Sequence, residues 1–116
     1  MLNTIKFVVL SSIFIQFSAI AGEQQNEIVA LSRLAGMAEY CQHYYEDSSN
    51  NTKAKVMHQF NRQLSEKAVS LFSSMEDSKL ASDNRISAYK KYKQKFSSTS
   101  DTVCSNLEHT IGTLEL

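Results

Sequence analysis

The sequence predicts an all-α fold: a small antiparallel four-helix bundle with one disulfide, preceded by a cleaved signal peptide. Three observations carry this expectation. Apolar residues recur at spacings of three and four in four stretches, the period of a helix with one buried face. The 116 residues include no Pro and no Trp, so the commonest helix breaker and the largest core anchor are both missing. Finally, the two cysteines, Cys41 and Cys104, fall in the first and last of the helical stretches.

The first 21 residues read as a leader rather than as part of the folded domain. MLNTIK carries one positive charge, Lys6, and FVVLSSIFIQF (7–17) is apolar apart from Ser and Gln. SAIA (18–21) then places Ala19 and Ala21 where a signal peptidase reads small residues, which predicts cleavage after Ala21. An apolar run of about 11 residues is too short to cross a bilayer that needs about 20. No cysteine follows the small residues, so no lipid-modified N-terminus is indicated. The remaining residues, 22–116, form one domain of about 95 residues, with no later stretch apolar enough to span a membrane. A periplasmic or secreted location is expected. Without Lys6, the 12 basic and 12 acidic side chains of the chain leave the mature domain close to neutral. Global attraction to nucleic acid or to a membrane surface is therefore not implied.

Export sends both cysteines to an oxidising compartment, and two cysteines allow only one intramolecular pairing. Closing a loop of about 64 residues removes roughly 4 kcal/mol of unfolded-chain entropy. That matters in a domain small enough to bury only about 60% of its unfolded surface. Redox catalysts bring their cysteines close together, as in C-x-x-C, whereas these are far apart, so a structural staple is the expected role.

In the first helix, read over residues 27–45, Ile28, Leu31, Leu34, Ala35, Ala38, Cys41 and Tyr45 share a stripe. Ser32, Arg33, Glu39 and His43 fall opposite, and Gly36 is expected on that outer face, costing about 1 kcal/mol of helix propensity. The run EDSSNNT (46–52) ends it through side chains that compete for backbone hydrogen bonds. The second helix, residues 53–75, is capped by Thr52 or Asn51 and carries Val56, Phe60, Leu64, Ala68, Leu71 and Met75, widened by Met57 and Phe72. EDSKLASD (76–83) reads as a connection, with Leu80 turned inward. The third helix, residues 84–96, starts behind Ser82 or Asp83 and turns Ile86, Tyr89, Tyr92 and Phe96 to one face. SSTSD (97–101) is a cap-rich break. The fourth helix, residues 101–111, buries Val103, Cys104, Leu107 and Ile111, with Gly112 placed for a left-handed cap. Four such helices on short connections form an up-down-up-down bundle around a shared core, which brings Cys41 and Cys104 to one end.

Two stretches are rich enough in chemistry to single out. EYCQHYYED (39–47) places Glu39, His43 and Asp47 in an i, i+4, i+8 row within about 80° on a helix, a weak candidate for a divalent metal. The row lies on the polar face, and a metal site needs further ligands and a supporting shell, so the expectation is a solvated face and no resident cofactor. Tyr40 and Tyr44 flank that face. YKKYKQKF (89–96) turns its aromatics one way and spreads Lys90, Lys91, Lys93 and Lys95 around the rest. Four lysines without an arginine supply charge but not the planar fork of specific phosphate or base recognition. They are the candidate surface for an acidic partner protein. Asn50-Asn51-Thr52 matches the N-x-T glycosylation pattern, which has meaning only in a eukaryotic secretory route.

No nucleophile elbow, zinc-protease helix, phosphate loop or C-x-x-C is present, so an enzyme is not expected. The expected function is an exported protein-binding module, of inhibitor or immunity type, acting through an exposed helix face. Nucleic acid is not an expected partner, and the oligomeric state is left open. Two alternatives are a stress-linked or pH-responsive chaperone, for which His43, His58 and His109 supply titratable groups, and a small metal-binding protein or enzyme centred on Glu39, His43 and Asp47.

Overall fold

The computed structural model describes the backbone of residues 20–116 and the side chains of residues 22–116. The signal peptide expected over residues 1–21 lies outside the described residues, except that Ile20 and Ala21 already belong to the first helix. Among the described residues the fold is four helices and no strand: α1 (Ile20–Asp47), α2 (Asn51–Ser70), α3 (Met75–Lys95) and α4 (Ser100–Gly112). Cys41 and Cys104 are disulfide-bonded, with Cα atoms 5.5 Å apart and both side chains fully buried.

The connections are short because the helix ends satisfy their own backbone groups. α1 closes in a Schellman-type turn, in which Asn50 N–H donates to Tyr45 O at 2.8 Å and Ser49 N–H donates to Glu46 O at 3.0 Å. Ser49 takes the left-handed position, φ 61°, which costs a residue with a Cβ about 1–2 kcal/mol. Asn50, rather than Thr52 or Asn51, then caps α2 by accepting from Lys53 N–H at 3.2 Å. The expected left-handed cap at Gly112 does not form. No glycine among the described residues has positive φ, and α4 ends through Thr113 in a right-handed conformation.

The largest departure from expectation lies between α2 and α3. Residues 76–83 form the first two turns of α3, and the connection is residues 71–74. Ser74 is the N-cap, accepting from Asp77 N–H. Asp77 Oδ2 accepts from Ser73 N–H at 2.8 Å and from Ser73 Oγ at 3.0 Å. This reciprocal arrangement is a close relative of the capping box. It stops α2 at Ser70 and leaves Met75 at 86% exposure instead of in the apolar stripe of α2. Between α3 and α4, the break at residues 96–99 is real. Ser100 Oγ donates to Phe96 O at 2.6 Å and accepts from the Tyr40 hydroxyl at 2.5 Å.

The four stripes do not share one core equally. α1 is the central element, packed against each of the other three helices. The contiguous apolar core takes its buried residues from α1 (Leu31, Ala35, Ala38, Tyr40, Cys41, Tyr45), α2 (Ala54, Met57, Leu64, Ala68) and α4 (Cys104, Leu107, Ile111). From α3, only the partly buried Tyr89 and Tyr92 pack on it. Along α2 the contacts run opposite to α1: Gln24 Nε2 donates to Leu71 O, and Lys53 lies over the ring of Tyr45. Along α3 they run in the same order, from Arg33 with Asn84 to His43 with Tyr89. α2 and α3 both pack along α1 and hardly touch each other, so α1 lies between them.

The seam between α1 and α3 is polar and close. Ser32 and Gly36, both expected outside, are buried, and so is Tyr40. These three form an i, i+4, i+8 row about 130° around the helix from the Leu31–Ala35–Ala38 face. A Cβ on Gly36 would stand 2.1 Å from the backbone oxygen of Arg85, so glycine permits the approach of the two backbones. Arg85 Nη1 donates to Glu39 Oε1 at 2.6 Å, and Arg33 Nη1 donates to Asn84 Oδ1 at 3.4 Å. The buried positions of α3 are Asp77 and Ala88, whereas Ile86, expected inward, is 40% exposed.

Gly36→Ala is expected to destabilise the protein, because a clash worth about 1–3 kcal/mol outweighs the gain of about 1 kcal/mol in helix propensity. Urea unfolding gives the sign, and a net stabilisation would contradict the close approach. Replacing both cysteines by serine is expected to lower unfolding stability by about 4 kcal/mol, with amide protection lost first in α4. A loss below about 1 kcal/mol would mean the staple is energetically idle.

Candidate functional site

α3 is polar over most of its surface, so beyond the buried Ala88 and the partly buried Tyr89 and Tyr92 it depends on restraints from an end cap and from side-chain pairs. Its cap at Ser74–Asp77 and its seam to α1 supply those restraints. The rest of its surface is open to solvent, and Lys90, Lys91, Lys93 and Lys95 are all exposed there. Among the described residues the ion pairs are Arg85–Glu39 and the exposed Lys79–Asp83 pair at 4.0 Å; none of the four lysines has a carboxylate partner. Lys93 and Lys95 stand in the last turn of α3, where a cation complements the negative end of the helix dipole. Lys95 Nζ also lies 5.5 Å from the centre of the Phe96 ring.

The aromatics of the same stretch do turn to one side. Tyr40 meets Tyr89 and Tyr92 edge-on, with ring centres 6.1 and 5.9 Å away, and Tyr92 meets Phe96 at 5.0 Å. Burial pushes the Tyr92 hydroxyl to a higher pKa, so that hydroxyl stays neutral. Asp83, Ile86, Ser87, Lys90, Lys91 and Gln94 line a shallow depression of about 470 Å³. All six come from α3, so this is a helix face and not an enclosed pocket.

The metal candidates Glu39, His43 and Asp47 have different surroundings. Glu39 is held by Arg85 at 2.6 Å, His43 is exposed with its ring edge-on to Tyr89 at 5.8 Å, and Asp47 is exposed at the end of α1. Among the described residues, no three His, Cys, Asp or Glu side chains are grouped to hold a metal ion. Tyr40, expected at the rim of an outward face, is buried against α3 and α4. Asn50 is exposed in the α1–α2 turn.

A second depression, about 450 Å³, lies between Lys53 of α2 and Ser105, Glu108, His109, Gly112 and Thr113 at the C-terminal end of the chain. Beside it, Lys53 Nζ stands 5.6 Å from the centre of the Tyr45 ring. Burial, and then the charges of Glu108 and Asp101, raise the pKa of the Tyr45 hydroxyl. The depression is open and mixes both charge signs, so it selects no ligand class.

Periodicity alone missed the Ser32–Gly36–Tyr40 seam and the Asp77 cap. Each had a signal in the sequence: small residues four apart on the polar side of the first helix, and the S-x-x-D pattern at Ser74–Asp77. No protein-family model, no curated protein and no solved structure gives a significant match to this chain.

Proposed function

We propose that this chain is a small exported protein-binding module, of inhibitor or immunity type, with an antiparallel four-helix scaffold that presents α3 to a partner protein. One observation carries the reading: α3 lies beside the hydrophobic core, and its outer face bears Lys90, Lys91, Lys93 and Lys95 exposed and unpaired. A helix face that the monomer does not need for its own core is free to serve another molecule. The scaffold behind it is rigid, because the disulfide and the central α1 hold the remaining helices. A disulfide, together with the absence among the described residues of any helix long and apolar enough to cross a membrane, is compatible with a periplasmic or extracellular location. No catalytic activity and no resident cofactor belong to this reading.

Affinity capture from the native compartment tests it. The wild-type chain is expected to retain a partner that salt elutes, and the Lys90/Lys91/Lys93/Lys95→Gln variant is expected to lose it. Equal retention by both proteins would end the reading.

A second reading, an acid-responsive chaperone, is favoured by the polar seam. Backbone N–H donation from Ser73 chiefly holds the Asp77 carboxyl below its ordinary value of 3.8. A carboxyl with a depressed folded-state pKa contributes fully above the unfolded value, and its contribution disappears as pH falls through the folded value. α3 is therefore expected to loosen below about pH 4, uncovering Tyr40 and its neighbours. Apolar-dye fluorescence and client aggregation, followed from pH 7 to 3, should show dye binding setting in below about pH 4 in the wild type. Asp77→Asn, which lacks the charge at every pH, should show a flatter response. An inert protein down to pH 3 would remove this alternative.

A further inference from the structure

We infer that the Ile86–Lys90–Lys91 stretch of α3 docks an acidic amphipathic helix of the partner protein, with an apolar side chain seated on Ile86 and carboxylates over the two lysines. This rests on the protein-binding reading and narrows it from four lysines to two, with an apolar anchor beside them.

The four lysines are not equivalent. Lys93 and Lys95 have an intramolecular use at the end of α3, through the helix dipole and, for Lys95, the face of Phe96. Lys90 and Lys91 lie a turn earlier, outside the range in which the dipole effect is felt. No carboxylate among the described residues pairs with them. Their charge contributes nothing evident to the monomer.

Ile86 strengthens the case. α3 turns Asn84 and Arg85 toward α1, where they bond to Arg33 and Glu39, and leaves Ile86 40% exposed on the outer side. The inner side of α3 carries Ala88, Tyr89 and Tyr92, so Ile86 is an apolar side chain left outside the face that packs on the core. A lone exposed isoleucine needs no explanation. This one sits four residues before Lys90, in the same depression as Lys90, Lys91, Ser87 and Gln94. The depression is about 470 Å³ and follows one helix, so it suits a ridge of side chains laid along it rather than a small molecule.

The charge pattern selects the occupant. Lysine ammoniums are compact point charges that pair with carboxylates without the bidentate geometry that arginine offers to phosphate. Asp83, at the opposite end of the depression and paired with Lys79, repels an anion there and so orients the acidic end of the incoming helix over Lys90 and Lys91. The face from Asp83 to Gln94 is only about 17 Å long. That is a fraction of the roughly 800 Å² per partner of a stable complex, so an isolated peptide is expected to bind only in the micromolar range.

The test titrates the full oxidised chain into a labelled synthetic helix carrying glutamates four apart around a central leucine, read by fluorescence anisotropy. The controls are the same peptide with Leu→Ser, the same peptide with Glu→Gln, and a DNA duplex. The acidic peptide is expected to bind. Ile86→Ser and the Lys90→Gln/Lys91→Gln pair should each weaken it by about fivefold to tenfold, while Lys93→Gln/Lys95→Gln changes it by less than about twofold. All the replaced side chains are exposed, and unchanged circular dichroism verifies folding. Equal losses from the two lysine pairs, indifference to Ile86→Ser or to the peptide leucine, or tighter binding of the duplex would each overturn the inference. If the peptide result fails while a captured partner is still lost from the four-lysine variant, this docking surface falls and the module reading stands. Capture indifferent to all four lysines removes both.

Discussion

The Cys41–Cys104 bond joins the last turns of α1 to the second turn of α4 across 63 positions, and the rest of the chain is arranged around the helix it anchors. α4 has 13 residues, about the length at which an isolated helix is marginal in water. It is held by that bond, by the burial of Leu107 and Ile111, and by the link from Lys67 Nζ to Glu115 O at 3.1 Å. A domain of this size has a net stability on the order of 5–15 kcal/mol, so a cross-link worth roughly 4 kcal/mol is a large share of it.

α1 is buried on two sides, and the two sides differ in kind. Toward α2 and α4 it presents alanine, leucine, cysteine and tyrosine, whose association is non-directional and scales with the area removed from water. Toward α3 it presents Ser32, Gly36, Glu39 and Tyr40, and the contact combines one close backbone approach, the hydrogen bonds of Arg85 with Glu39 and of Arg33 with Asn84, and the edge-on packing of Tyr40 on Tyr89 and Tyr92. The ion pair of Glu39 with Arg85 is about one-third exposed, and pairs of that kind contribute at most about 1 kcal/mol. Loss of α3 contacts would uncover Tyr40 and leave the apolar contacts among α1, α2 and α4 in place. This division of labour gives α3 its functional interest, since its exposed side chains carry little responsibility for the core.

The legibility of the chain follows the same division. α1, α2 and α4 were readable because most of their buried residues are apolar, so the three-to-four spacing reported the helix and the face it turns to the core. The first turns of α3 were not, because residues 75–83 bury only Asp77 and leave Met75 exposed, so no apolar period marks them. The same cause misplaced Gly36, since an absent side chain looks alike on a solvated face and at a crossing of two helices. The lysines were recognisable as exposed from their charge. That Lys93 and Lys95 close the helix while Lys90 and Lys91 flank an outward isoleucine required knowing where α3 ends and which way it faces.

Residue type and spacing alone therefore determined the helical class, the pairing of the two cysteines and the identity of the main apolar core, because burial of apolar surface and loop closure act on composition and order along the chain. Only the tertiary structure decided that α1 is central, that α3 is attached through a seam of polar contacts, and that Glu39 pairs with Arg85. Those outcomes depend on short-range, directional contacts between residues some 46 positions apart, and a local pattern carries no record of which distant partner will meet it.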